Sequence, residues 1–230
     1  MGPYEFCSEK CERAAGIAKR KAVFRVLKPF DSNDRIAQAI YHKFCAEWND
    51  PTGVLETPDV HAIYQISLPY YEDRFLDAIF KAQAHGGSNT KSAWFACQCI
   101  CDVGVKADDL CNARSCGICM AIKSGFDELA FGKATNNGVY GDGIYAHQNP
   151  AIAHRFTVRK AEHNRRVVIL CSILELEPGA PVDNILDYSA YIDRDGRVFC
   201  ARKNVIVPRR LVVYSVKPPA EGPTMDLSAD

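Results

Sequence analysis

Four cysteines spaced C-x9-C-x4-C-x2-C, at Cys101, Cys111, Cys116 and Cys119, constrain this chain more than any other feature. Zinc takes four soft ligands in a tetrahedron, and thiolates at C-x2-C and C-x4-C spacing can wrap one ion from a tight turn. Cys116-Gly117-Ile118-Cys119 has the form of such a knuckle, with Gly117 relieving the backbone. Cys97 and Cys99 lie just upstream, and either could stand in for Cys101. Buried small residues, free thiols or a disulfide are the other readings of the same cluster. A site closed by four cysteines leaves no open coordination position, so its expected role is structural: zinc would staple a loop beside an active cleft.

The total of 11 cysteines is odd, which rules out complete internal pairing. Met1-Gly2-Pro3-Tyr4 lacks the basic-then-apolar layout of a secretory leader. Clustered thiols without an export signal predict a reducing, intracellular home, cytoplasmic or nuclear. The 28 basic and 28 acidic residues balance, so no general attraction to nucleic acid or to an anionic membrane is expected. No apolar run approaches the ~20 residues of a membrane span, and 47% hydrophobic content is enough for a sizeable core.

Residues 1–28 form a charged extension in which Ala22–Leu27 has the pattern of one strand, and Cys7-x3-Cys11 reads as half a metal finger or as two surface thiols. Residues 29–216 form the main domain, and 217–230, rich in proline, read as a disordered tail. Asp31–Asp34 offers helix caps, and Ile36, Ile40, Phe44 and Trp48 recur every four residues on one helical face. Val60–Ile66 alternates like a strand, and a second helix carries Phe75, Leu76, Ile79 and Phe80 up to Gly86-Gly87. Asn149-Pro150 starts a short helix in which Ile152 and Phe156 share a face. Val167–Leu176, Val198–Cys200, Val205–Val207 and Leu211–Val216 supply strands. Helices early and strands late predict an α+β fold with no parallel βαβ core.

The segment Gly138-Val139-Tyr140-Gly141-Asp142-Gly143-Ile144-Tyr145 is a glycine-punctuated turn that delivers an aromatic side chain. His147, His154 and Asp142 flank it as a possible acid–base set or as solvated polar residues. Arg155, Arg159, Lys160, Arg165 and Arg166 form a basic patch, suited to a pyrophosphate or to a solvated face. Gly132-Lys133-Ala134-Thr135 lacks the upstream glycine of a phosphate loop.

Taken together, Trp94-Phe95-Ala96-Cys97, Cys101-Asp102-Val103-Gly104, Cys111 with Ser115–Cys119, Ser124–Asp127 and Gly138–Tyr145 resemble the poly(ADP-ribose) polymerase-type, or ADP-ribosyltransferase, catalytic domain. The similarity is greater to a largely fungal branch that carries extra cysteines, and it spans about Val60 to Val216. The resemblance implies an ADP-ribosyltransferase-like split antiparallel β core with flanking helices and a zinc-stapled loop. It also implies NAD as substrate, cleavage of the nicotinamide–ribose bond, and transfer of one ADP-ribose to an unknown protein acceptor or to water.

By the same resemblance, Tyr145, Phe95 and Arg197 stand at the family's tyrosine, histidine and glutamate positions. Phe95, Ala96, Tyr140, Gly143, Tyr145, Ala153 and Phe156 would line the ring-binding pocket. Tyr145 and Phe156 are expected to cover opposite faces of the nicotinamide, since aromatic faces suit a flat cationic ring. Three positions depart from the family. Phe95-Ala96-Cys97 replaces His-Gly-Thr, Ala153 replaces a serine, and Arg197 replaces the glutamate, with Asp193 and Asp195 the nearest acids. A phenylalanine cannot donate to a ribose, and an arginine opposes a developing positive centre. The departures keep two alternatives open: a cleft turned to other small-molecule chemistry, and an inactive ligand-binding pseudoenzyme.

Overall fold

The computed structural model describes residues 23–27, 34–53, 55, 57–84, 88–104, 109–129, 137–138, 141–159, 164–176, 190–192, 198–201 and 205–216. Expectations placed on Cys7, Cys11, His85, Gly86, Gly87, Tyr140, Asp193, Asp195, Arg197 and the 217–230 tail fall outside the described residues.

Among the described residues, twelve strands occur in chain order. They are β1 (Val23–Leu27), β2 (Asp59–Ser67), β3 (Ser88–Phe95), β4 (Gln98–Cys99), β5 (Asn137–Gly138), β6 (Gly141–Asp142), β7 (Ile144–His147), β8 (Val158–Arg159), β9 (Arg165–Leu176), β10 (Ala190–Ile192), β11 (Val198–Ala201) and β12 (Ile206–Ser215). Four helices accompany them: α1 (Arg35–Glu47), α2 (Pro69–Ala84), α3 (Gly117–Ser124) and α4 (Pro150–His154). Eight strands build one sheet in the order β1-β2-β12-β9-β3-β7-β11-β10, and every neighbouring pair in it is antiparallel. The architecture is therefore the expected α+β class. The strand expected at Ala22–Leu27 is present at Val23–Leu27 as one edge of this sheet, so the sheet draws on residues ahead of position 29.

Both faces of the sheet are covered. Along β9, Val167, Ile169, Cys171 and Ile173 enter one core, which α2 and α3 close with Phe75, Ala78, Ile118 and Ile122. Val168 and Leu170 enter the other, which α1 and α4 close with Ala37, Phe44 and Ala153. Two buried faces remove the polar half of the alternation, which is why this strand reads as an unbroken apolar run. Aromatic rings dominate the second core: Phe44 meets Trp94 at 5.1 Å and Tyr214 at 5.0 Å between ring centroids. The Trp94 indole N–H donates to Glu47 Oε2 at 2.7 Å, so α1 is tied to β3 by a polar contact as well.

Local sequence accounts for the helix ends. Ala37 N–H donates to the Asp34 side chain at 3.0 Å, the N-cap expected of that acidic stretch. Of the four-residue stripe on α1, Phe44 is fully buried but Ile36 is 53% exposed, and Ala37 takes its place in the core. On α2, Phe75 is buried whereas Leu76 and Phe80 face outward, with Ala78 and Ala82 filling the inner face. At β12, the two strands expected on either side of Pro208 are one. Pro208 pairs with Cys171 and Arg210 with Leu170, leaving Arg209 as the extra residue of a bulge. A bulge is where a proline can sit in a sheet without breaking its ladder. No helix among the described residues is long and apolar enough to cross a membrane.

The turn after α3 is fixed by one glycine. Gly125 caps the helix at φ 53°, and a Cβ there would lie 2.4 Å from the Tyr71 ring. Gly53 also has positive φ, 66°, but a Cβ there would meet nothing within 4 Å. Gly53→Ala should therefore lose about 1 kcal/mol, the backbone cost alone. Gly125→Ala should lose about 2–4 kcal/mol, because overpacking adds to strain. Urea unfolding of the two variants checks the difference, and equal losses would contradict the packing described.

Candidate metal centre and aromatic cleft

The backbone brings the four cysteines of the spacing motif together from three places. Cys101 follows β4, Cys111 lies in the loop before α3, Cys116 is the N-cap of α3, and Cys119 sits in its first turn. Their sulfur atoms all lie within 4.8 Å of one another. Cys101 Sγ is 3.5 Å from Cys119 Sγ and 3.7 Å from Cys116 Sγ. Sulfurs bound at about 2.3 Å to one tetrahedral zinc stand about 3.8 Å apart, whereas a disulfide needs about 2.05 Å. The spacing fits a shared ion and excludes a bond between these pairs. The cluster is therefore compatible with a structural zinc site of the expected four residues.

Several contacts hold the cluster in shape. Cys116 N–H donates to the Ala113 carbonyl at 3.0 Å, and Met120 N–H to the Cys116 carbonyl at 3.0 Å. Lys123 Nζ donates to the Cys111 carbonyl at 2.8 Å. Arg159, nine-tenths buried, donates to the Val103 carbonyl at 2.8 Å and to the Cys101 carbonyl at 3.3 Å. The parallel pairing of β8 with β4 delivers it there. Arg159 thus clamps the loop that carries Cys101, a role quite different from the expected phosphate clamp or solvated face. The sequence offered no signal for this, since it depends on a contact between residues 58 apart in the chain.

Gly117 works through space and not through an unusual backbone. A Cβ at that position would lie 2.6 Å from Cys97 Sγ. Cys97 consequently packs on the outside of the knuckle, and neither it nor Cys99 belongs to the four-sulfur group. Cys99 is buried nearby, with its thiol 3.8 Å from the Cys101 carbonyl.

Charge crowding shapes the thiols. Hydrogen bonds from Cys101, then Cys119 and Cys99, hold Cys116 far below the ordinary thiol range. Contact with Cys116 pushes the Cys101 thiol up, but Cys119 and Cys99 outweigh it and bring it to about 6. Hydrogen bonds with Cys101 and then Cys116 push the Cys119 thiol far up, and burial raises Cys111. A divalent cation among the four sulfurs would favour the thiolate form of each.

The expected ring sandwich is arranged differently from its sequence reading. Tyr145 and His147 alternate with the core residues Ile144 and Ala146 on β7, so they share the opposite face of the sheet. Phe156, half-exposed, stacks on His147 at 5.1 Å and 9° between ring planes. The imidazole therefore covers one face of the benzyl ring that was expected to face Tyr145 across a ligand. Phe95 points to the other side of the sheet altogether, 1% exposed and edge-on to Phe126 at 5.1 Å. Its neighbour Ala96 lies in the opposite core with Trp94 and Ala153, and Gly143 is buried just ahead of β7. Tyr140 and Arg197 lie outside the described residues.

His154 is no solvated turn residue. Its Nδ1 is 2.9 Å from the Tyr214 hydroxyl, and its ring lies edge-on to Trp48 at 5.7 Å. Burial, then the charge of Arg166, depresses its pKa against the opposing pull of Asp50. Alongside it, Asn149 caps α4 by accepting from Ala151 N–H at 2.9 Å, and also accepts from Asn49 N–H at 3.3 Å. The chain after α1 is thereby tied to the start of α4. Elemental analysis of the purified chain should find about one zinc per molecule, and Cys116→Ser or Cys119→Ser should lose it together with a large drop in Tm. Full metal-free stability would contradict the site. No model of a known protein family matches the chain, and no curated protein does.

Proposed function

We propose that this chain is a divergent ADP-ribosyltransferase-like enzyme that uses NAD and transfers a single ADP-ribose to an unknown acceptor or to water. The observation that carries the reading is the adjacency of three strands. β3, β7 and β11 lie side by side, and Trp94, His147 and Val198 occupy one cross-strand row. Those positions adjoin the stretches that stand at the family's three motif positions, of which only Gly143-Ile144-Tyr145 keeps the motif while Trp94-Phe95-Ala96 and Arg197-Val198 depart from it. A zinc ion held by Cys101, Cys111, Cys116 and Cys119 would fix the loop leading away from β3 and supply no chemistry of its own, since four thiolates fill its coordination.

In this reading Tyr145 offers one aromatic face to the nicotinamide ring. The glycosidic C–N bond breaks with its electron pair leaving on nicotinamide, and an oxygen of the acceptor or of water bonds to the anomeric carbon and gives up its proton. Nearby negative charge favours such a centre. Neither Phe95 nor Arg197 supplies it, which predicts slow turnover.

A second reading, a ligand-binding domain without turnover, is favoured by the side chain of Phe95. It is committed to the core against Phe126, so the strand position that would anchor a ribose presents no donor. Calorimetry with NAD and assay of released nicotinamide separate the two. The enzyme reading predicts binding together with free nicotinamide, both reduced at least tenfold in Tyr145→Ala. Binding without release would favour the pseudoenzyme, and no binding at millimolar NAD would remove both.

A further inference from the structure

Where the starts of β2 and β9 meet the end of β12, three side chains of hydrolase type come together. Ser215 Oγ lies 2.9 Å from His61 Nε2, and His61 Nδ1 lies 4.0 Å from Asp59 Oδ2. The two nitrogens of one imidazole thus face a hydroxyl on one side and a carboxylate on the other. The sheet fixes this order. Ser215 on β12 is the register partner of Asp59 on β2 and of Arg165 on β9, while a bulge between Val213 and Tyr214 leaves His61 as the extra residue of β2, within reach of Ser215. The Asp59 side chain is 68% exposed and can turn the remaining distance to His61, as loose orienting contacts do when no substrate is bound.

The geometry points to Ser215, His61 and Asp59 as a second, hydrolytic site that cleaves small acyl esters, with Arg165 beside the developing oxyanion. His61 Nε2 takes the Ser215 hydroxyl proton as Oγ bonds to the acyl carbon, and the carbonyl electron pair moves onto oxygen. That oxyanion then re-forms the carbonyl, the ester C–O bond breaks, and His61 returns its proton to the departing alkoxide. Water releases the acyl group by the same steps, with His61 again accepting and returning one proton. Asp59 is a positioning residue that keeps Nδ1 protonated and Nε2 free to accept. Burial and the charge of Arg165 hold the imidazole pKa down against the pull of Asp59, so the base is neutral at neutral pH. Sequence inspection had no access to this grouping, because His61 and Ser215 are 154 residues apart.

The test uses the full chain with p-nitrophenyl acetate as substrate and diisopropyl fluorophosphate as covalent probe. The expected result is ester hydrolysis above heat-inactivated protein, with one diisopropylphosphoryl adduct per chain, formed as fluoride leaves, mapped to Ser215. Ser215→Ala should abolish both, and His61→Ala should lower the rate about a hundredfold. Asp59→Asn should lower kcat with KM unchanged, which a merely structural contact between strands would not do. Labelling of wild-type protein decides the matter even where a variant folds poorly. An adduct at another residue, no adduct, or a rate unchanged in Ser215→Ala would overturn the proposal. None of these readouts involves NAD, so this site and the transferase reading stand or fall separately.

Discussion

Four sulfur atoms within 4.8 Å of one another are the constraint on which this corner of the molecule depends. Thiolates at that spacing repel, and hydrogen bonds among the sulfurs push some of these thiols up and others down. The scaffold nevertheless forces them together. Cys116 and Cys119 share one end of α3, Cys111 approaches through a loop tied down by Lys123, and Cys101 hangs from carbonyls that Arg159 grips. A dication at the centre would turn the repulsion into attraction and stiffen every segment that ends there.

That stiffening reaches the sheet. β4 and β8, each of two residues, are too short to persist alone, yet they link the metal loop to the segment after α4. On the other side of the turn, Gly125 fits under Tyr71 and Asp127 pairs with Arg74 at 2.8 Å, so α3 is fastened to α2 as well. The sulfur cluster is therefore fastened to α2 through α3 and to the segment after α4 through β4 and β8.

Much of this was legible in the sequence for physical reasons. The cysteine spacing singled out a four-sulfur group because a tetrahedral ion leaves few ways to wrap a chain, but Cys97 and Cys99 competed for the place of Cys101 until the fold set them apart. Asp34 and Asn149 announced helix starts because their side chains accept from free backbone donors. Other features needed three dimensions. The stripe on α1 overstated Ile36 because periodicity fixes a face and not which end of it meets the sheet. Pro208 looked like a break between two strands, since the bulge that admits it appears only against β9. Gly117 was assigned to backbone relief, whereas the thiol of Cys97 occupies the space a side chain would need. Phe95 could be placed at a motif position by register, but its direction is set by strand alternation, which sends Trp94 and Phe95 to opposite cores.

The cleft around Tyr145 shows how residue type and arrangement can diverge. Tyr145 and Phe156 are the right kinds of side chain for holding a flat ring, while His147 already stacks on one of them. A ligand on the Phe156 ring would have to share or displace that imidazole. Zinc-edge X-ray absorption on the purified chain is the most direct measurement of the four-sulfur centre. A single shell of four sulfurs at about 2.3 Å is the predicted spectrum; a shell of nitrogen or oxygen, or one with only two sulfurs, would contradict it.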